Sequence, residues 1–110
     1  MISLPIPWPA EEINDFCKKW LVLELSLFGS ILRNDFHADS DVDLLITYKP
    51  DSKWSLFDCV EMQIELTEIL GRKVDLISER AIQKSHNYIR RNNILSTAEV
   101  VYSDKVYAKK

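Results

Sequence analysis

The sequence predicts a single α/β domain, spanning residues 1–110, in which helices pack against a small β-sheet. Short apolar segments typical of strands alternate with longer segments in which apolar residues recur at helical spacing. The chain of 110 residues is 46% hydrophobic, which is enough for one core of ordinary size. It contains only 2 glycines and 4 prolines, a composition that argues against a disordered or low-complexity chain.

The first two predicted elements are a helix and a strand. Pro9 suits the first turn of a helix, and apolar residues then recur on one helix face: Ile13, Phe16, Cys17 and Trp20. Leu23, Leu25 and Leu27 alternate with polar residues, which predicts a strand that stops at the Gly29-Ser30 pair. Residues 30–40 are polar, with room for one short helical turn.

A second strand is predicted from Val42 to Tyr48, where the chain is almost continuously apolar. The next residues, Lys49 to Ser52, have the composition of a turn. A long helix is then predicted from Ser52 or Lys53 to Leu70, and Gly71 stands where a helix commonly ends.

The last third of the chain is predicted to form one more internal strand, two helices and a short final strand. The third strand is predicted over Lys73–Ile77, and Ser78 can cap a short helix that begins near Glu79. A further helix is predicted around Ser85–Asn92, and a short strand over Glu99–Tyr102.

Cysteine content and hydropathy indicate the cellular setting. Cys17 and Cys59 are too few for a disulfide framework and lack the spacing of a zinc site. We therefore expect free thiols buried in helices and a reducing, cytoplasmic compartment. No apolar run is long enough to cross a membrane, and the N-terminus does not have the pattern of a secretion signal.

The net charge of −3 conceals a difference between the two ends of the chain. Residues 1–79 hold 7 basic and 15 acidic side chains, whereas residues 80–110 hold 7 basic and 2 acidic ones. This pattern suits cation binding in the acidic part and an anionic ligand or partner for the basic part, which includes Arg80, Lys84, Arg90 and Arg91. Ordinary solvated surface charge is the alternative interpretation.

Three aspartates are the candidate metal ligands. Asp41 and Asp43 lie two residues apart at the start of the second strand, so they share a face, with their side chains roughly 6–7 Å apart. If the third strand is adjacent, Asp75 joins them there. Such like charges repel unless a cation joins them, and Mg²⁺ is a hard cation that carboxylates and phosphates bind together. The alternative is a set of solvated aspartates at strand ends.

The Gly29-Ser30 pair is a candidate phosphate site. A turn directly after a strand leaves backbone N–H groups unpaired, Gly29 allows close approach, and Ser30 adds a hydroxyl group. A plain turn would explain the pair on its own. Together with Asp41 and Asp43, however, the pair offers both kinds of group that a magnesium-bound nucleoside triphosphate needs.

The segment GSILRNDFHADSDVDLL, from Gly29 to Leu45, resembles the G-S-x10-D-x-D signature of the DNA polymerase β-like nucleotidyltransferases. The similarity extends to Asp75 and to YIRRNNILSTAEVVY, which resembles the end of the small, single-domain minimal nucleotidyltransferases, often encoded beside a HEPN-domain partner. The resemblance implies the polymerase β-like fold, an α/β (α+β) arrangement with a small mixed sheet and helices packed on one face.

The resemblance also implies a role for each site residue. Asp41 and Asp43 would bind Mg²⁺, with two ions expected, and Asp75 would complete the metal site and accept the proton of the attacking hydroxyl group. Gly29 and Ser30 would hold the triphosphate of the nucleotide, and Arg33 would contact a phosphate group.

Two further residues near the motif bear on the resemblance. Ser40 would position the loop rather than react. Relatives usually have Arg-Gly where this chain has Arg33-Asn34. Because Asn tolerates left-handed backbone, we expect the turn to persist, and the departure puts activity rather than fold in question.

The implied activity is transfer of AMP from ATP to a tyrosine of a HEPN-domain toxin, with this chain as the antitoxin. The chain is too short to carry the extra domain of larger relatives, so a partner or a second copy would complete the substrate site. One alternative is an antitoxin that neutralises its partner by contact alone. Another is a nucleotidyltransferase acting on a small molecule or an RNA end, although net acidity disfavours nucleic acid as the primary partner.

Overall fold

The computed structural model describes residues 4–104 of the chain. Residues 1–3 and 105–110 lie outside the described residues, and with them three lysines of the basic C-terminal part. The helices are α1 (Ala10–Lys19), α2 (Leu56–Leu70), α3 (Glu79–Gln83) and α4 (Tyr88–Thr97). The strands are β1 (Val22–Phe28), β2 (Val42–Tyr48), β3 (Val74–Ser78) and β4 (Glu99–Ser103), and a 3₁₀ turn covers Gly29–Leu32.

The four strands form one mixed sheet in the order β3-β2-β1-β4. Strand β1 pairs antiparallel with β2 and with β4, whereas β2 and β3 are parallel. Helix α2 makes the crossover between the two parallel strands, as a parallel pair requires. The predicted α/β fold with a small mixed sheet is thus confirmed.

One face of the sheet carries the main hydrophobic core. Val42, Leu44 and Ile46 of β2 are at most 1% exposed and pack towards α1 and α2, as their alternation predicted. Helix α1 contributes its predicted apolar face, and α2 contributes Met62 and Leu66, both fully buried. Burial of these side chains holds the two helices on this face of the sheet.

A smaller cluster lies on the other face of the sheet. It consists of Phe28 and Leu45 from the sheet, Ile82 from α3 and Ile94 from α4. Helices were predicted on one face of the sheet. The structure places α1 and α2 on that face and also places α3 and α4 beside the other face. This cluster leaves the start of β2 and β3 accessible on that face, and the acidic residues lie there.

The start of α2 differs from the prediction by a few residues. The helix begins at Leu56 rather than at Ser52 or Lys53, because Ser55 and Asp58 form a reciprocal capping box. The Ser55 backbone N–H donates to Asp58 Oδ2 (2.8 Å), and the Asp58 N–H donates to Ser55 Oγ (3.2 Å). The helix ends as predicted at Gly71, which has a left-handed conformation with φ +70°.

The C-terminal elements also match in kind but not in every boundary. Helix α4 covers Tyr88–Thr97 instead of Ser85–Asn92, because the side chain of Asn87 caps it by accepting the N–H of Arg90. Ser78 caps α3 as expected. Both cysteines are free thiols in helices, but only Cys17 is buried, and Cys59 is partly exposed.

Within residues 4–104, none of the helices combines the length and the apolar character that crossing a lipid bilayer would need.

Truncating Leu66 to alanine should lower the free energy of unfolding by about 2–5 kcal/mol, because the side chain is fully buried and would leave a cavity. The matched control is Ile64→Ala on the same helix, where the side chain is 56% exposed and the expected change is below about 0.5 kcal/mol. Urea denaturation followed by circular dichroism measures both. Equal losses for the two variants would contradict this packing of α2.

Candidate active site

The strand register brings two of the three predicted metal ligands side by side. Asp43 of β2 is paired in register with Asp75 of the parallel strand β3. Neighbouring strands lie about 4.8 Å apart, and paired residues project from the same face. Val42 and Leu44, on either side of Asp43, and Val74, next to Asp75, point into the main core. Both aspartates therefore project from the opposite face of the sheet.

The electrostatic environment of Asp43 reflects this crowding. Partial burial raises the pKa of the Asp43 carboxyl group above its ordinary value, and the negative charges of Asp75 and Asp41 raise it further. Arg33 and Arg90 act in the opposite direction. A cation at this position would therefore stabilise the ionised form of the Asp43 carboxyl group.

Asp41 lies at the mouth of this acidic group. Its side chain is 42% exposed, and Lys73 Nζ lies 3.9 Å from Asp41 Oδ2. Across residues 4–104, no three acidic, histidine or cysteine side chains are arranged as a ready-made metal site. The oxygen donors are nonetheless the type that Mg²⁺ binds, and the assignment of Asp41, Asp43 and Asp75 as its ligands stays a prediction.

Gly29 brings the backbone of the predicted phosphate site against the acidic group. Phe28, the last residue of β1, pairs with Asp43, so the chain turns directly above that carboxylate. Gly29 has φ +79°, and a methyl group added to it would overlap Asp43 Oδ2 and lie 3.2 Å from Asp43 Cγ. Only glycine allows both this conformation and this approach.

The 3₁₀ turn after Gly29 places Ser30 and Arg33 beside the aspartates. The Arg33 N–H closes the turn by donating to the Ser30 carbonyl oxygen at 2.9 Å. A cavity of about 400 Å³ is lined by residues of this turn, of the following loop and of the start of β2: Ser30, Arg33, His37, Asp39, Ser40, Asp41 and Asp43. The side chain of Arg33 is exposed and contacts Asp35, with Nε 3.2 Å from Oδ1.

The turn does not need glycine after Arg33. Among residues 4–104, Leu21 is the one non-glycine residue with positive φ. Asn34 therefore has ordinary backbone geometry, and its tolerance of left-handed conformations is not what keeps the turn intact.

The loop before Asp41 is held by internal hydrogen bonds and by an arginine that the sequence did not identify. Ser40 Oγ accepts the N–H of His37 at 3.0 Å, which is a positioning contact. Arg72 donates to the carbonyl oxygens of Ser40 (3.3 Å) and Ala38 (3.4 Å), and its guanidinium group lies over the ring of Phe36. Arg72 thus fastens this loop to the start of β3.

Helix α4 forms a second wall of the site. Of the α4 residues in this wall, the sequence analysis named only Arg90, as one of the basic residues of the C-terminal part. A cavity of about 260 Å³ brings the following α4 residues together with Phe28, Gly29, Arg33 and Asp43: Arg90, Asn93, Ile94 and Thr97. The positions 90, 93 and 97 have the spacing of one helix face, which is the signal that could have identified the set.

The sequence profile of the nucleotidyltransferase domain family matches residues 10–100, and this chain therefore belongs to that family. Two similar proteins from Methanocaldococcus jannaschii are both described as candidate protein adenylyltransferases. One is 38% identical over 61 residues, covering 56% of this chain and 63% of its own length. The other is 36% identical over 76 residues, covering 68% of this chain and 72% of its own length.

Solved structures share the fold. A candidate minimal nucleotidyltransferase is 28% identical with a TM-score of 0.63, covering 82% of this chain and 86% of its own. A chain in the complex of the tri-AMPylated Shewanella oneidensis HEPN toxin with its MNT antitoxin is 17% identical, with a TM-score of 0.60 over 90% of this chain and 76% of its own. The predicted polymerase β-like nucleotidyltransferase fold is thereby confirmed.

Replacing Gly29 with alanine should disrupt the site as well as strain the backbone. The left-handed conformation costs an alanine about 1–2 kcal/mol, and the new methyl group must also displace the Asp43 carboxylate. We expect the affinity for the magnesium complex of ATP to fall at least about tenfold, the equivalent of about 1.4 kcal/mol. Isothermal titration calorimetry measures it.

Gly71→Ala is the matched control for Gly29→Ala. Gly71 has nearly the same conformation, with φ +70°, but an added methyl group meets nothing within 4 Å. This variant should lose similar stability and keep its nucleotide affinity. If both variants bind the nucleotide equally well, the contact between Gly29 and Asp43 does not shape the site.

Asp43→Asn should raise the thermal stability of the protein in EDTA at pH 7. Because folding raises the pKa of Asp43, stability is lost as the pH rises through that pKa, and asparagine removes the loss. The gain over wild type should shrink as the pH is lowered below the ordinary aspartate value. Melting curves across this pH range measure the gain, with Asp51→Asn in the exposed β2–α2 turn as control. A variant less stable than wild type at pH 7 would contradict the prediction.

Proposed function

We propose that this chain is a magnesium-dependent nucleotidyltransferase that transfers AMP from ATP to a tyrosine of a HEPN-domain toxin and thereby acts as its antitoxin. One observation carries the proposal: the backbone of Gly29 lies against the Asp43 carboxylate, which is itself in register with Asp75. A phosphate chain lying along the Gly29-Ser30 turn would therefore run beside the acidic group.

The cationic residues fit the binding of a triphosphate. Arg33 and Arg90 both lower the pKa of Asp43, so their charges already act on the place where phosphate oxygens would lie. Arg33 also borders both cavities beside Asp43. With Arg33 on one side and Arg90 on the other, the site would neutralise part of the charge of the triphosphate and hold its position.

The aspartates fit the transfer step. Asp41, Asp43 and Asp75 would hold Mg²⁺, which when bound would stabilise the charge of the α-phosphate and of the leaving pyrophosphate. Asp75 is exposed beside Asp43, so it can receive a proton from an approaching hydroxyl group. The acceptor oxygen would form a bond to the α-phosphorus, the bond to pyrophosphate would break, and the proton would pass to Asp75.

The choice of a protein acceptor is supported by the relatives. The curated relatives from Methanocaldococcus jannaschii are described as candidate protein adenylyltransferases, and one structural neighbour belongs to a complex with a tri-AMPylated HEPN toxin. Asp75 is exposed, so a side chain presented by another protein can approach it.

The proposal is tested by incubating the protein with Mg²⁺, α-labelled ATP and the HEPN-domain protein from the same genome. Label should appear on the HEPN-domain protein, and mass spectrometry should place it on tyrosine. Asp41→Asn should reduce the labelling rate by at least about a hundredfold, since the loss of one charge-stabilising group costs about 3 kcal/mol or more. Asp51→Asn should leave the rate unchanged.

Two outcomes would replace the proposal. If no label appears and the toxin is neutralised equally by Asp41→Asn, the protein acts by contact alone. If label appears instead on an added aminoglycoside or on an RNA 3′ end, the acceptor is a small molecule or a nucleic acid.

A further inference from the structure

Helix α2 exposes a row of large apolar side chains that the fold does not use. Leu56, Phe57, Val60 and Ile64, which we term the α2 ridge, are 80%, 88%, 53% and 56% exposed. Single exposed apolar residues are ordinary, but a contiguous group is typical of an interaction surface. Four such side chains within nine residues of one helix form a contiguous group.

The α2 ridge is distinct from the side of the helix that faces the core. Phe57, Val60 and Ile64 are separated by three and four residues, so they line one face of the helix. Met62 and Leu66, which are fully buried, lie on the opposite side against the sheet. The ridge therefore points away from the domain, and truncating its side chains does not disturb the core.

The charges around the α2 ridge restrict what can cover it. Helix α2 contains four acidic residues and no basic one: Asp58, Glu61, Glu65 and Glu68. Asp58 is engaged in the capping box, and Glu65 accepts from Lys19 and Trp20. Glu61 and Glu68 are exposed, and neither makes an ion pair within residues 4–104. A covering surface must therefore be apolar in its centre and basic along its side.

A second copy of this chain does not fit that requirement. A two-fold pairing of α2 ridges would bring the free carboxylates of two α2 helices together, and they would repel. Elsewhere in residues 4–104, Tyr88 and Ile89 form an exposed apolar pair next to basic side chains, but this pair adjoins Arg90, which lines the active site. Covering that region would obstruct the nucleotide.

Helix α2, which carries the ridge, lies beside the edge of the sheet that carries Asp75. Helix α2 packs beside β3, the edge strand of the sheet, and Gln63 Oε1 accepts the backbone N–H of Leu76 at 3.2 Å. A protein seated on the α2 ridge can therefore extend around β3 to Asp75 while the nucleotide cavities between Gly29 and α4 stay open.

We propose that the α2 ridge is the surface that holds the protein substrate, and that it binds an apolar helix flanked by lysine or arginine on that substrate. The apolar face of the incoming helix packs on Phe57, Val60 and Ile64, and its basic side chains pair with Glu61 and Glu68. This inference rests on the proposed function insofar as the bound protein is the one that the enzyme modifies.

The test compares two identical substitutions at equally exposed valines. Val60 in the α2 ridge is 53% exposed, and Val100 on β4 is 51% exposed. The dissociation constant of the complex with the HEPN-domain protein from the same genome is measured by calorimetry for Val60→Glu and Val100→Glu. We expect Val60→Glu to raise it about tenfold or more and Val100→Glu to leave it within about twofold, because a carboxylate in an apolar contact is costly to bury.

The charge requirement is tested with a second matched pair. Glu61→Lys combined with Glu68→Lys should weaken the complex about tenfold and reduce its sensitivity to salt, because attractive pairs become repulsive. Glu11→Lys combined with Glu12→Lys makes the same charge change on exposed positions of α1 and should have little effect. If the two charge variants weaken the complex equally, the flank of the α2 ridge is not the basic-binding surface.

Transfer assays separate this inference from the proposed function. Val60→Glu should raise KM for the HEPN-domain protein while kcat and the affinity for the magnesium complex of ATP stay unchanged. Weakened binding by Val60→Glu with no AMP transfer by wild type would support the docking surface and overturn the proposed function. If Val60→Glu binds the HEPN-domain protein normally and Asp41→Asn abolishes AMP transfer, the proposed function is supported and the docking surface is overturned.

Three further results would overturn the docking proposal. The first is a complex weakened by Val100→Glu and not by Val60→Glu. The second is absence of any complex between the wild-type protein and the HEPN-domain protein. The third is self-association of the wild-type protein, detected by analytical ultracentrifugation, that Val60→Glu abolishes, since the α2 ridge would then be covered by a second copy.

Discussion

The close approach of the Gly29 backbone to the Asp43 carboxylate is the constraint on which the arrangement of the site depends. Antiparallel pairing places Phe28 opposite Asp43, so the turn that follows β1 has to pass over that carboxylate. The left-handed conformation of Gly29 then directs the 3₁₀ turn, with Ser30 and Arg33, along the acidic group. The same contact determines both the position of the turn and the shape of the cavity beside Asp43.

The two faces of β2 have different roles: one packs into the core, and the other carries a residue of the candidate active site. Its inward residues, Val42, Leu44 and Ile46, are buried in the main core and hold the strand in the centre of the sheet. Its outward side presents Asp43 beside Asp75, where partial burial, and then the like charges of Asp75 and Asp41, raise the pKa of Asp43. The burial of the inward face offsets the electrostatic cost on the outward face, so the acidic group persists on a strand whose position cannot easily change.

Arginines from distant parts of the chain surround the acidic strand. Arg33 follows the 3₁₀ turn, Arg72 fastens the loop before Asp41 through two carbonyl oxygens, and Arg90 approaches from α4. Arg33 and Arg90 both act on Asp43 and lower its pKa, whereas Arg72 acts on the loop. Arg90, from the basic C-terminal part of the chain, therefore meets aspartates of the acidic part in one site, and the α2 ridge lies outside that site, on the other side of the sheet.

The sequence by itself determined the order of the elements and the identity of the site motif, because both depend on local patterns. Neither prediction requires knowledge of the fold. The elements follow from features such as the alternation in β1 and the apolar run of β2, and the motif follows from the Gly-Ser pair and the Asp-x-Asp spacing. Helix boundaries were less predictable. The side chains of Ser55 and Asn87 cap α2 and α4 and so decide where these helices begin. Other polar residues nearby could also have served as caps, so the sequence alone does not identify the first residue of either helix.

Only the tertiary structure decided which strands are neighbours, and with that which residues meet. The pairing of Asp43 with Asp75 and the passage of Gly29 over Asp43 depend on strand register, which long-range packing selects. The approach of Arg90 from α4 and the hold of Arg72 on the loop before Asp41 join residues far apart in the chain, so no local pattern encodes them. The exposure of Phe57 on α2 has the same origin, because a helical apolar pattern does not reveal which side the sheet will cover.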